Sequence, residues 1–575
     1  MIQIEELKQF KQKRQFVPEN FKVKSWPTLK RFFDRLLDAE FESKGSFENW
    51  MKQWSELEGI IDEDLAWRYI KMTTDTTNED YKNSYSDFIE KIDPNYQRSC
   101  NDIFKKISAS HIPQEIESNA YKVYLRNVSS SIEVFNEKNI PLNTKEQLLE
   151  KEYGEVAGTM SVIYNGQEYT MPQAANFLKN TDRSVRREVW LLMNERRHHD
   201  KDKLDDLLTD LIGLRHDISI NAGFENYRDY KFKDLKRFDY DHKDCLLFHE
   251  SCKTLVIPLI EQLNEYRKKK LVLNELFPWD LSIDIEGKEA LRSFEKENTF
   301  IEKAIACFNE IDPFFGSCLS TMKELRYLDL FSRKGKAPGG YNYPLNEIGV
   351  PFIFMNAAGS IDDITTLVHE GGHAIHSFLT RDIPIVPFRG APMEVSEVAS
   401  MAMELISMEH WHHFFPEKED LRRAKIYQLE RVLSVLPWIA QVDAFQHWLY
   451  LNHTHSFEER KEKWVALNYS FSPKNINRDS TEKYAAFSWQ KQLHIYEVPF
   501  YYIEYGIAQL GAIGLWKQYK ENSEKALMNY KKMLKLGNRD TIPNLYKAAG
   551  LEFDFSYDHI RGLCAFVKNE LDKIL

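Results

Sequence analysis

The 575-residue chain is poor in several things, and each shortage excludes a class of protein. Its six cysteines (Cys100, Cys245, Cys252, Cys307, Cys318 and Cys564) form no C-x-x-C pair. That rules out a disulfide framework or a thiolate metal cluster and fits reduced thiols in a cytoplasmic protein. Long apolar runs are missing too. The nearest to one, "YYIEYGIAQLGAIGLW", is broken by Glu504 and Gln509, so no membrane span is expected. The opening "MIQIEELKQFKQKRQF" has no apolar h-region, so no signal peptide is expected. Positive charge is in deficit, with 77 Lys and Arg against 88 Asp and Glu, a net −11. That balance argues against nucleic acid or an anionic membrane as the main partner. No repeat of fixed period and no low-complexity tract occurs.

Aromatic residues are plentiful: 36 Phe, 28 Tyr and 12 Trp indicate a large packed core. The length suggests two or three domains, or one large interleaved body. Helical periodicity dominates. "SWPTLKRFFDRLLDAEF" spaces Leu29, Phe32, Phe33, Leu36 and Leu37 on one face, with Pro27 placed to open the helix. One interruption stands out near 159–171, where Asn165-Gly166 between short strand-like runs signals a two-residue hairpin. Thr181 or Asp182 can then cap a new helix, and the charged run "ERRHHDKDK" offers a boundary near residue 200 or a solvated helix end. Further on, "KGKAPGGYNYP" reads as a loop and "GVPFIFMN" (349–356) as a short buried or edge strand. The expected fold is mainly α with a small sheet, divided into an N-terminal helical region (1–200) and a catalytic region (201–575).

The chemistry concentrates in "HEGGHAIH", His369 to His376. In H-E-x-x-H on a helix, histidines at i and i+4 share one face and can bind one Zn²⁺, while the glutamate reaches a water on the metal. These residues are His369, His373 and Glu370. Ser360 and Asp363 form a capping box that starts the helix. Gly371 and Gly372 are costly in a helix, about 1 kcal/mol each against alanine. The expected compensation is close approach: a core helix at Gly371, and a returning helix or the substrate at Gly372. A catalytic zinc takes three protein ligands and keeps one position open. "PMEVSEVASMAMELISMEH" supplies the third, with 23 residues between His373 and Glu397. Glu394, one turn earlier, is a rival, and His376 another. Glu404 lies two turns beyond Glu397 on the same face, suited to steady a histidine. "HWHHF" (410–414) reads as helix surface and core rather than a metal site.

With these motifs in view, the sequence resembles the oligoendopeptidase F and thimet oligopeptidase family of zinc metallopeptidases, in its oligoendopeptidase F branch. "PFIFMNAAGSIDDITTLVHEGGHAIHSF", "MEVSEVASMAMEL" and "HIYEVPFYYIEYGIAQLGAIGLW" carry the likeness, which runs from near residue 120 to the C-terminus. The resemblance implies two helical lobes around a deep channel, a small sheet beside the zinc-binding helix, one Zn²⁺ on His369, His373 and Glu397, and oligopeptide substrates. It also implies that Tyr505, Tyr502 and His494 face the zinc and stabilise the oxyanion, with Glu370 as base. The spacing from His494 is one residue shorter than in the thimet branch, and Val498 and Pro499 stand where that branch has another tyrosine. Tyr496 and Tyr501 fit either the site or an aromatic core stripe. The strand at 351–356 is expected to offer an edge to the substrate backbone, and "PGGYNYP" a loop over it. The rivals are a carboxypeptidase of the angiotensin-converting type, which shares the 23-residue gap, a peptide-binding protein with a vestigial site, and a regulatory metal-binding module.

Overall fold

A computed structural model describes residues 13–575 apart from Ser293 and Glu295, and it is predominantly helical. Most of the segment read for a signal peptide lies outside the described residues. Among the described residues no helix is long and apolar enough to cross a membrane, and all six cysteines are free.

Strands are few and short. β1 (Ser161–Tyr164) and β2 (Gln167–Thr170) form the antiparallel hairpin signalled by Asn-Gly. Asn165 and Gly166 take φ of 50° and 77°, the left-handed pair that a type I′ turn requires. β3 (Leu328–Phe331), β4 (Tyr341–Tyr343) and β5 (Phe352–Ala357) make a second sheet in the order β3-β5-β4. The strand expected to accept substrate is therefore central. β5 pairs in parallel with β3 and antiparallel with β4, so both its edges are occupied at Ile353 and Phe354. The free edge beside the site belongs to β4, within the stretch read as a loop.

Apolar side chains gather into three large cores. One combines residues 16–128 with Ile385 and Phe388. A second joins Val134 to Tyr230 with Val442 to Phe500. The helices Arg183–His199 and Lys201–Asn221 follow one another across Asp200, and this core extends on both sides of it. The largest core holds Tyr240 to Ala440 and Ile503 to Leu571.

That largest core contains the helix pair on which the site is built. β5 runs through Gly359, at φ +89°, into the HExxH helix, Ile361–Thr380. Asp363 accepts the N–H groups of Ala358, Gly359 and Ser360 at 3.1, 2.7 and 2.8 Å, so donors that would otherwise be orphaned at the helix start are satisfied. After the turn at 381–392 the chain comes back as a return helix, Met393–Met408, packed along the first. The two glycines explain how closely. A Cβ on Gly372 would stand 2.4 Å from the Ala399 carbonyl oxygen and 2.7 Å from Ser400 Cα, both backbone atoms of the return helix. A Cβ on Gly371 would stand 2.7 Å from the ring of Phe308, which lies in the helix Glu297–Ile311. Both approaches match what the costly glycines led us to expect.

Because the obstacle at Gly372 is backbone and that at Gly371 is a side chain, the two substitutions should differ. Gly372→Ala is expected to lose about 1–3 kcal/mol or more through overpacking, although alanine favours the helix by about 1 kcal/mol. Gly371→Ala should cost less, since the Phe308 ring can shift. Denaturant unfolding of both variants against wild type measures the difference.

Candidate active site

Helix geometry sets the first part of the site. His369 and His373, one turn apart, place their rings 5.1 Å apart on one face of the HExxH helix. Glu397 arrives from the return helix, with its Oε2 3.3 Å from His369 Nε2 and 3.6 Å from His373 Nε2. Bonds of about 2.0–2.2 Å in a tetrahedral zinc site would hold ligand atoms about 3.3–3.5 Å apart. Both distances from Glu397 thus match the separations one such ion imposes, and the three residues form a compact His, His, Glu cluster. The donor set passes the test for a small divalent cation.

The surrounding hydrogen bonds orient these donors. His369 Nδ1 faces Glu404 Oε1 at 2.7 Å, which fixes the ring with Nε2 turned toward Glu397. Glu404 Oε2 accepts from Gln428 Nε2 at 3.0 Å, and Gln428 Oε1 accepts from Thr365 at 3.0 Å. Burial alone would raise the Glu397 carboxyl, but His373 and His369 hold it well below the usual carboxylate range. Burial would likewise lower His369, yet Glu397 and Glu404 outweigh it and raise the ring well above its ordinary value. Glu397 Oε2 also accepts from Ser400 at 2.9 Å, and its Oε1 from the Tyr501 hydroxyl at 2.5 Å.

Glu370 sits beside this cluster, buried, and its Oε2 has no hydrogen-bond partner among the described residues. Burial raises its carboxyl above the ordinary 4.5. Gly340, just ahead of β4, passes so close that a Cβ there would lie 3.4 Å from Glu370 Oε1. A cavity of about 470 Å³ opens over the cluster, lined by His369, Glu370, His373, Tyr341, Tyr501 and Tyr505 among others.

The C-terminal aromatics divide in a way the sequence did not reveal. The last helix of the site runs Tyr502–Glu521, and the residue before its N-cap, Phe500, has φ +66°, an outlier for a bulky side chain. The Phe500 N–H donates to Gln446 Oε1 at 3.1 Å, and its carbonyl accepts from Arg237. This kink turns Tyr501 onto Glu397. Tyr501 and Tyr505 then lie at i and i+4, with rings 5.2 Å apart, both in the cavity wall. Tyr502, expected to face the metal, lies one step off. Its hydroxyl donates to Gln492 Oε1 at 3.0 Å and accepts from Trp438 Nε1 at 3.1 Å. Trp438 Nε1, a donor only, also approaches Gln492 Oε1 at 3.1 Å, which identifies that atom as the amide oxygen. The Gln492 amide nitrogen therefore donates to His494 Nδ1 at 2.8 Å, and the imidazole proton resides on Nε2, 3.1 Å from the Tyr505 hydroxyl. Burial lowers His494 to about 4, so it acts as a neutral donor near pH 7.

Other candidates fall elsewhere. Glu394 accepts from Tyr240 at 2.7 Å and is not in the cluster. His376 lines the cavity, its Nε2 without a partner among the described residues and its ring lowered by burial and His373 to about 4, but it stands outside the three-donor group. Tyr496 is core: it stacks on Tyr153 at 4.3 Å and donates to the Leu204 carbonyl at 3.2 Å. In "HWHHF", Trp411 is buried, and His410, His412 and His413 surround Glu310 near the surface.

Comparison with known proteins places the chain in a family. The model of "Peptidase family M3" matches residues 176–563, and that of the "Peptidase M3 N-terminal domain" matches residues 16–135. The chain belongs to peptidase family M3. The likeness thus reaches into the first hundred residues, which by sequence alone share only helical character. Oligopeptidase PepF of Bacillus subtilis is 24% identical over 488 residues, covering 80% of this chain and 70% of that protein. An oligoendopeptidase F homolog of Borreliella burgdorferi is 22% identical over 524 residues, covering 85% and 84%. Among solved structures, PZ peptidase A with an inhibitor superposes with a TM-score of 0.92 at 25% identity, over 97% of this chain and 99% of that one. This M3 chain is an oligopeptide-cleaving metallopeptidase with the mainly α, two-lobe fold of its family.

The tyrosine arrangement makes a discriminating prediction. Tyr501→Phe removes a hydrogen bond to a charged group and should lower kcat/KM for a peptide about 10–100-fold. Tyr502→Phe should lower it less than about 10-fold, because Trp438 still fixes Gln492. Steady-state hydrolysis of one quenched peptide by both variants provides the measurement.

Proposed function

We propose that the chain is a zinc-dependent endopeptidase that hydrolyses internal bonds of oligopeptides, with one ion held by His369, His373 and Glu397. The spacing of the three donor atoms, 3.3 and 3.6 Å across the cluster, carries this reading. When bound, the ion supplies Lewis-acid polarisation of the scissile carbonyl and acidifies the attacking water. Glu370, with one oxygen unengaged, takes a proton from that water and delivers it to the amine as the C–N bond breaks. The Tyr505 hydroxyl and His494 Nε2 donate to the oxyanion that develops on the former carbonyl. Tyr501 orients Glu397, and Tyr502 acts through Gln492 on His494. The edge of β4 is available to pair with the substrate backbone. Internal cleavage is supported by the Borreliella relative, whose name specifies an endopeptidase. Six free thiols fit a reducing cytoplasm.

Glu370→Gln should lower kcat about 10²–10⁴-fold while metal analysis still finds zinc bound. Loss of zinc together with activity would reassign Glu370 to metal binding. The wild-type kcat/KM should fall on the acid side at a pH above the ordinary 4.5, because the base must be ionised and burial raises it. Glu404→Gln should weaken zinc binding about 10–100-fold by releasing His369 Nδ1, as read by competition with a chelator. A peptide amidated at its C-terminus separates the modes: an endopeptidase cleaves it and a carboxypeptidase does not.

A further inference from the structure

Glu497 closes the short helix Leu493–Glu497, three residues past His494, and has no role in the chemistry above. It lines a second cavity, of about 210 Å³, which shares the Tyr341 wall with the active-site cavity. The lining comes from opposite parts of the chain. Tyr69 and Thr73 belong to the helix Lys44–Thr74, Tyr85 to Glu79–Lys91, and Glu150 and Gly154 to Ile140–Gly158. Tyr69 packs its ring 5.5 Å from that of Tyr341 and 6.0 Å from that of Tyr85, so a tyrosine cluster forms part of the wall.

Charge accounting singles out Glu497. Lys82 pairs with Glu79 at 2.6 Å, Lys151 with Glu155 at 3.6 Å and Ser86 at 3.3 Å, and Glu150 with Arg215 at 3.0 Å. Glu497 has neither a hydrogen-bond nor a salt-bridge partner among the described residues. Burial pushes its carboxyl up to about 8, and neither lysine of the cavity lining, Lys82 nor Lys151, offsets the rise. An apolar ligand would leave this carboxyl uncompensated. An anionic ligand would meet Glu497 and Glu150 together. A cation satisfies the carboxylate and gains the faces of the surrounding phenol rings.

We propose that Glu497 receives a positively charged group of the bound peptide, either a lysine or arginine side chain or the terminal ammonium. The cavity thereby favours substrates carrying positive charge at a fixed distance from the scissile bond. This rests on the peptidase reading of the adjoining site, whose β4 strand contributes Tyr341 to both cavities.

The test uses the full chain and quenched peptides of one neutral sequence. Lysine or its uncharged isostere norleucine is placed at each position in turn, and each peptide is made with a free and with an acetylated N-terminus. Wild type is expected to prefer lysine at one position, or the free terminus, by about 10-fold in kcat/KM. Preference that persists in acetylated peptides assigns the side chain, and preference lost on acetylation assigns the terminal ammonium. Glu497→Gln should bring the charged-to-neutral ratio close to one, and Glu497→Lys should invert it in favour of glutamate at the same position. If wild type cleaves the neutral peptides without any charge preference, the inference is overturned while the peptidase reading stands. An unchanged ratio in Glu497→Gln, whatever its overall rate, also overturns it. If wild type cleaves none of the peptides, the peptidase reading itself fails.

Discussion

The site depends on one contact between two backbones. The HExxH helix and the return helix meet where Gly372 faces the Ala399 carbonyl and Ser400 Cα, with no room for a methyl group between them. That contact sets how far Glu397 stands from the two imidazoles. A helix separation larger by one methyl layer would carry the carboxylate out of the range at which three atoms can share a small ion. The tight packing is offset from behind by a deep apolar core, in which Val368, Ile375, Val398 and Ala402 are fully buried. The glycine penalty is small against burial on that scale.

Electrostatics supply the second layer. Glu397 and Glu404 are buried carboxylates, and a buried charge is tolerated only when it is paired and hydrogen-bonded. Here each carboxylate is satisfied in a way that also orients a donor. Glu404 is held by Gln428 and fixes the His369 tautomer; Glu397 is held by Ser400 and Tyr501 and keeps its oxygen on the two rings. Behind Tyr505, Trp438, Tyr502 and Gln492 form a relay of hydrogen bonds that decides which nitrogen of His494 carries the proton.

Much of this was legible from residue order, and the exceptions have physical causes. Helical periodicity, the capping box at Ser360, the Asn-Gly turn and the reason for two adjacent glycines all follow from local rules, and the structure has each of them. The pairing of Glu397 rather than Glu394 with the histidines follows from the pitch of the return helix and the length of the turn. Strand order does not follow from local rules: nothing within "PFIFMN" reveals that β3 and β4 cover both its edges. Tyr501 was hidden by the assumption of regular helix geometry, which a left-handed Phe500 breaks. Gln492, Trp438 and Gln428 carry no signature in the sequence, because an amide or an indole gains its role only from what lies opposite it in space.

The Phe500 kink has a consequence for when the protein becomes active. A bulky residue in the left-handed region costs about 1–3 kcal/mol and persists only if its surroundings hold it there. The holding groups, Arg237 and Gln446, come from far upstream, and Arg237 also pairs with Glu504 at 2.8 Å in the helix that follows. A nascent chain therefore displays both histidines and both glutamates well before it can set the tyrosine wall, which waits for residues near the C-terminus to dock. Synthesis from the N-terminus makes the cleft one of the last parts to be completed. The tyrosine wall therefore cannot form before the segment through Tyr505 has been made and has docked against Arg237 and Gln446.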